Sequence, residues 1–149
     1  MTRIADALAG VSRLGIDTAP FIYLVERNPT YIDRVREIFR RIDEGQIEGY
    51  SSVVTLTEVL VHPRRQGNVA VEQEYRSILL QSRHVHLHPL LSSAAEYATD
   101  LRVRYNLRTP DAFQFAVSIL SGCEAFLTND SAHKRVTELR VLVLDDLEL

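Results

Sequence analysis

Apolar positions along this chain fall into two rhythms. Residues 14–16, 47–53, 84–88, 125–128 and 141–144 form short apolar or alternating runs of the length expected for strands. Between them the spacing is helical. It is clearest in residues 31–44, where Ile32, Val35, Ile38, Phe39 and Ile42 share one face and Asp33, Arg34, Arg36, Glu37, Arg40 and Arg41 the other. Caps and breakers agree with this division. Thr18 ahead of Pro20, Thr55 with Glu58, Asn68, Ser93 with Glu96, and Thr109 ahead of Pro110 all signal helix starts. Asn28-Pro29, Gly45, Pro63 and Gly122 signal ends. Residues 1–13 are expected to be a loose lead-in, with Ile4, Leu8 and Val11 at helical spacing interrupted by Gly10 and Ser12.

Residues 107–130, LRTPDAFQFAVSILSGCEAFLTND, stand apart. From Thr109 they predict a helix that is apolar on nearly every side, with Asp111 in its first turn, and such a helix belongs in an interior. A short buried strand follows, ending in the polar turn Asn129-Asp130-Ser131. Short strands alternating with helices, with no hairpin signal and no repeat, predict a single α/β domain over residues 1–149 with a mainly parallel sheet. In such sheets ligands bind at the carboxyl ends of strands, which is where Asp130 falls.

Composition narrows the function classes. The 149 residues are 46% hydrophobic, enough for one core, and 17 basic against 20 acidic residues give a net charge of -3. That balance offers no global attraction to nucleic acid or membrane, so a polyanion would need a local patch. All basic residues but Lys134 are arginine. The lone Cys123 cannot form an internal disulfide, which points to a reducing cytoplasm. The N-terminus, with Asp6 and no long apolar run, predicts neither a secretory signal nor a membrane span.

Four acids fall at element ends. Asp17 follows the first strand, Glu58 opens the helix after the second, Asp111 opens the interior helix, and Asp130 follows the fourth strand. Each has an ordinary explanation as a cap, a turn residue or a partner of a helix dipole. Together, on one edge of a sheet, they make an oxygen-donor cluster of the kind Mg²⁺ or Mn²⁺ prefers.

The segments LGIDTAPFIYLVE, TLTEVL, LRTPDAFQFAVSIL and AFLTND resemble, in order, the acidic motifs of the PIN domain, the fold of VapC-type toxin ribonucleases. The resemblance implies a three-layer α/β/α sandwich around a five-stranded sheet, with the first and fourth strands adjacent at its centre. It implies that Asp17, Glu58, Asp111 and Asp130 form a Mg²⁺ or Mn²⁺ site, with Thr128 as the hydroxyl of a threonine-x-aspartate turn; Thr18 and Asn129, each next to one of these acids in sequence, are candidates on their own chemistry for orienting a carboxylate or the attacking water. It also implies endonucleolytic RNA cleavage, a small antitoxin partner and a homodimer. One departure stands out: many relatives carry an aromatic residue just after the last motif, where this chain reads Ser131-Ala132-His133-Lys134.

Other readings remain open. His84, His86 and His88 share one strand face but are expected to be surface residues rather than a zinc site. Arg64, Arg65, Arg102, Arg104 and Arg108 are candidates for phosphate contacts and equally for solvated charge. Cys123 reads as a small core residue. Against the nuclease stands a PIN-like binding or scaffolding module with vestigial acids. A phosphatase or phospho-acceptor is weaker, because Asp17-Thr18-Ala19 lacks a second aspartate two residues on.

Overall fold

In the computed structural model, which describes residues 1–149, five strands form one all-parallel sheet in the order β4-β3-β2-β5-β6. They are β2 (Arg13–Ile16), β3 (Glu48–Ser52), β4 (Val85–His88), β5 (Ala125–Thr128) and β6 (Arg140–Val143). Helices α2 (Thr18–Val25), α3 (Ile32–Asp43), α4 (Val53–Arg65) and α5 (Val69–Gln81) precede β4, and α6 (Ser92–Tyr105) and α7 (Thr109–Leu120) precede β5. Strand residues alternate between two cores. Leu14, Ile16, Ala125, Leu127 and Leu142 face a cluster shared with Phe21, Val35, Ile38 and Tyr75, while Phe126 faces another built on Leu101, Ala112, Phe115 and Ala116. The three-layer sandwich and the adjacency of the first and fourth sequence strands are therefore as the resemblance implied.

Helix starts differ from expectation in detail. Asp17, not Thr18, is the N-cap of α2: its carboxylate accepts the Thr18 N–H at 2.8 Å. α4 begins at Val53 with Ser52 as cap, so Thr55 and Glu58 lie inside the helix and form no capping box. The strand ends at Ser52, whose hydroxyl is the first able to accept a free helical N–H. α6 starts at Ser92, one residue ahead of the expected cap Ser93, and Thr109 is the first residue of α7 rather than its cap; neither helix has a side-chain cap. Pro63 does not end α4, which runs two residues further. Asn68 does cap α5.

The lead-in is not loose. Thr2–Arg3 (β1) pair in parallel with Leu147–Glu148 (β7), the short helix α1 (Ile4–Ala7) follows, and Ile4, Leu8 and Val11 are buried in the first core. The histidine strand also departs from a purely surface reading. His84 Nδ1 and His86 Nε2 lie 2.9 and 3.0 Å from the Glu48 carboxylate, and the Tyr50 ring stacks on His86 and His88. These side chains brace one edge of the sheet. Cys123 is buried, and burial pushes its thiol up to about 12, the neighbouring Glu124 adding to the rise.

β2 is pressed against α7 at Gly15. A Cβ there would sit 2.2 Å from Ser118 Oγ, 2.6 Å from Ser118 Cβ and 2.9 Å from Phe126 Cδ1. Overpacking of this kind costs roughly 1–3 kcal/mol. Gly15→Ala is therefore expected to lower the urea midpoint by an amount equivalent to about 2–3 kcal/mol with an unchanged m-value; an unaltered midpoint would contradict this close packing.

Candidate functional site

β2 and β5 run side by side in the register Ile16↔Leu127, so the next residues leave the same edge of the sheet. The Asp17 N–H donates to the Leu127 carbonyl at 2.9 Å, carrying the ladder one residue past β2. Thr128, fully buried at the end of β5, then joins the two acid-bearing turns. Its hydroxyl donates to Asp17 Oδ2 at 2.8 Å and accepts the Asp130 N–H at 3.1 Å. Asp130 in turn accepts the Ala132 N–H at 2.9 Å and caps a 3₁₀ turn over Ser131–Arg135.

That turn folds His133 back into the interior, 4% exposed. Its Nε2 lies 3.7 Å from Asp111 and 3.9 Å from Asp17, and its Nδ1 lies 3.8 Å from Asp130. Three carboxylates delivered by β2, β5 and the first turn of α7 thus surround one imidazole. Glu58 arrives from α4, which follows β3 on the other side of β2. It is exposed, and its Oε1 accepts the hydroxyl of Thr18, the residue after Asp17, at 2.7 Å.

Of the three orienting groups expected from the sequence, Thr128 and Thr18 touch the acids. Asn129 turns away: its amide donates to the Tyr23 hydroxyl at 3.2 Å and its oxygen accepts the Asp145 N–H at 3.1 Å. Alternation along the chain end puts its side chain on the side opposite Thr128, where it anchors β5 to α2 and to the C-terminal segment. Of the arginines, Arg108 meets an acid of the cluster, Asp111, at 3.3 Å. Arg64 pairs with Glu72, Arg104 with Glu138, and Arg102 holds the Leu107 carbonyl.

The charges shape one another. Burial pushes the Asp17 carboxyl above the ordinary aspartate value, the nearby Asp111 adds to the rise, and the Thr128 and Thr18 hydrogen bonds and His133 only partly oppose it. Asp111 is held low, chiefly by His133. Burial alone would lower His133, but Asp111, Asp17 and Asp130 outweigh it and hold the imidazole above its usual value. Sequence reasoning meets His133 only as a departure from an aromatic residue. The ring keeps that packing role, edge-on to Phe115 at 5.3 Å, while placing a titratable group among the carboxylates.

No three His, Cys, Asp or Glu side chains stand in ligand geometry around one point. The donor chemistry nonetheless fits a hard divalent cation. The carboxylates supply only oxygen, Asp17 is desolvated with a second acid nearby, and the cluster's one interior counter-charge is an imidazole whose Nδ1 has no hydrogen-bond partner. Asp17, Asp111 and Asp130 are the residues such an ion would engage.

The PIN domain family model matches residues 15–139. No curated protein is recognisably similar in sequence. Among solved structures, VapBC2 from Rickettsia felis bound to a promoter DNA fragment is 15% identical with a TM-score of 0.68, covering 88% of this chain and 98% of its own. A toxin-antitoxin complex from Klebsiella pneumoniae is 23% identical with a TM-score of 0.66, covering 89% and 98%. VapC20 from Mycobacterium tuberculosis, a Sarcin-Ricin loop cleaving toxin, is 18% identical with a TM-score of 0.66, covering 87% and 99%. At these identities the likeness speaks for the fold.

The raised carboxyl and raised imidazole give a signed expectation for the protein in chelator. A group whose folded pKa is raised stabilises below its unfolded pKa and ceases to do so as pH climbs through the folded value. For His133 that loss begins at the ordinary imidazole value and is complete once pH has passed the raised folded value, so metal-free stability should fall from neutral toward alkaline pH, and His133→Phe should flatten the fall. Asp17 carries the same sign from a lower starting pH, its ionised form opposing folding at neutrality. Asp17→Asn should therefore melt at pH 7 at the same temperature or about 2–4 °C higher, the shift ~1 kcal/mol makes in a domain this size. A clearly lower melting temperature would mean that the ionised carboxylate stabilises the metal-free site.

Proposed function

Because this chain belongs to the PIN domain family, we propose that it is a metal-dependent endoribonuclease and the toxin of a type II toxin-antitoxin pair. The observation that carries the reading is the convergence of Asp17, Asp111 and Asp130 within 4 Å of one buried imidazole at the carboxyl edge of a parallel sheet. Asp17, Asp111 and Asp130 would hold Mg²⁺ or Mn²⁺, with Glu58 completing the acidic set from the exposed rim. A bound divalent ion supplies Lewis acidity toward a phosphate and makes a water acidic enough to attack it.

The chain's own groups do the positioning. Thr128 fixes the Asp17 carboxylate against the edge of β5, and the Thr18 N–H holds its other oxygen. His133 balances charge among the acids. The exposed Arg108 guanidinium, beside Asp111, offers a contact for an RNA phosphate. The solved relatives are toxin-antitoxin proteins, which supports a small antitoxin as partner, and a homodimer working in the cytoplasm fits the same reading. No helix is long and apolar enough to cross a membrane.

A second reading is favoured by one observation: the acids already have His133 as counter-charge, and no three side chains stand in ligand geometry. On that reading the chain is a PIN-like binding or scaffolding module without catalysis. The two separate cleanly. For the nuclease, Mn²⁺ binds in calorimetric titration and raises the melting temperature, RNA is cleaved in Mn²⁺, and Asp17→Asn lowers cleavage by at least ~100-fold. On expression, wild type arrests growth with loss of RNA integrity and Asp17→Asn does not. Absence of both Mn²⁺ binding and cleavage in wild type freed of any partner would establish the module instead.

A further inference from the structure

Beneath the acids lies a buried hydrogen-bonded chain that the proposed chemistry does not use. Gln114, 3% exposed, stands three residues after Asp111 on α7 and so on the same helical face. Its Oε1 accepts the Ser52 hydroxyl at 2.7 Å, and Ser52 is the N-cap of the helix that carries Glu58. Its Nε2 donates to the hydroxyls of Thr55 and, at 3.4 Å, Thr18. One amide therefore touches the elements that deliver Asp17, Glu58 and Asp111.

The wiring has a direction. An amide NH₂ can only donate, so Thr55 and Thr18 both receive from Gln114. Thr18 Oγ1 has a single proton, and the carboxylate 2.7 Å away can only accept, so that proton goes to Glu58. Thr55, 3.1 Å from Thr18, must then donate toward it rather than receive from it. Every hydroxyl in the path is committed before the last one reaches the acid. An exposed glutamate on a helix would otherwise sample several rotamers.

We propose that Gln114 is a positioning residue that acts through Thr18 to hold Glu58 in one orientation at the acidic edge. The inference rests on the metal-dependent reading for its effect on cleavage, but not for its effect on Glu58 itself. Gln114→Met keeps the volume and removes the amide. Thr18→Val keeps the branched shape and removes the hydroxyl, and Thr18→Ser restores it.

With wild-type protein in Mn²⁺ and RNA, Gln114→Met and Thr18→Val should each lower kcat about tenfold with KM within twofold, and weaken Mn²⁺ binding severalfold by calorimetry. Thr18→Ser should stay near wild type, and the Gln114→Met, Thr18→Val double variant should be no worse than the poorer single. Losses that multiply, or full activity in both single variants, would overturn the relay. If Gln114→Met fails to fold, Thr18→Val against Thr18→Ser carries the test alone. Should wild type neither bind Mn²⁺ nor cleave RNA, the catalytic reading has failed and the relay is judged by crystal structures of metal-free wild type and Gln114→Met. A Glu58 carboxylate that leaves its wild-type position in the variant upholds the relay, and one that stays refutes it.

Discussion

The parallel pairing of β2 with β5 in a single register is the constraint on which the acidic edge depends. Leu14, Gly15 and Ile16 stand opposite Ala125, Phe126 and Leu127, and only in that register does Thr128 come beside Asp17. A slip of one residue would turn Leu127 from one core to the other and carry the threonine hydroxyl away from the carboxylate. Burial on both faces forbids that slip, because the two cores require opposite sets of side chains. The same packing that makes the sheet stable therefore sets the spacing of its functional groups. Gly15 belongs to this constraint, since its missing side chain lets α7 approach closely enough to bring Asp111 to the edge.

Charge is the second consequence. Drawing several carboxylates together at the rim of a hydrophobic interior is unfavourable unless something positive joins them. Here that is His133, buried among Asp17, Asp111 and Asp130 by a turn that Asp130 itself caps. Glu58 is managed differently: it stays exposed and is reached through hydroxyls instead of a cation. The site thus has an interior half held by ionic balance and an outer half held by directed hydrogen bonds.

Much of this was legible in the sequence, for physical reasons that can be named. Strand and helix rhythms are set by which side chains must be buried, so the five strands and the interior helix stood out, and acids at element ends pointed to one edge. Helix starts were less legible. Ser51, Ser52 and Thr55 all lie where β3 gives way to α4, and tertiary packing decides which hydroxyl caps. Residues 1–13 looked loose because their partners, Leu147 and Glu148, lie at the far end of the chain, and no local pattern reports such a pairing. Asn129 and His133 exchanged importance for the same reason. A turn polar enough to orient a carboxylate carried its asparagine the other way, and a residue that reads as a lost aromatic brought charge as well as a ring.

The pairing of β1 with β7 sets the two ends of the polypeptide next to each other. A two-residue parallel ladder thus ties the segment before the first helix to the segment after the last one, so neither is held by its chain neighbours alone. Fraying of either segment would unpair the other, so the two loosen together rather than one at a time.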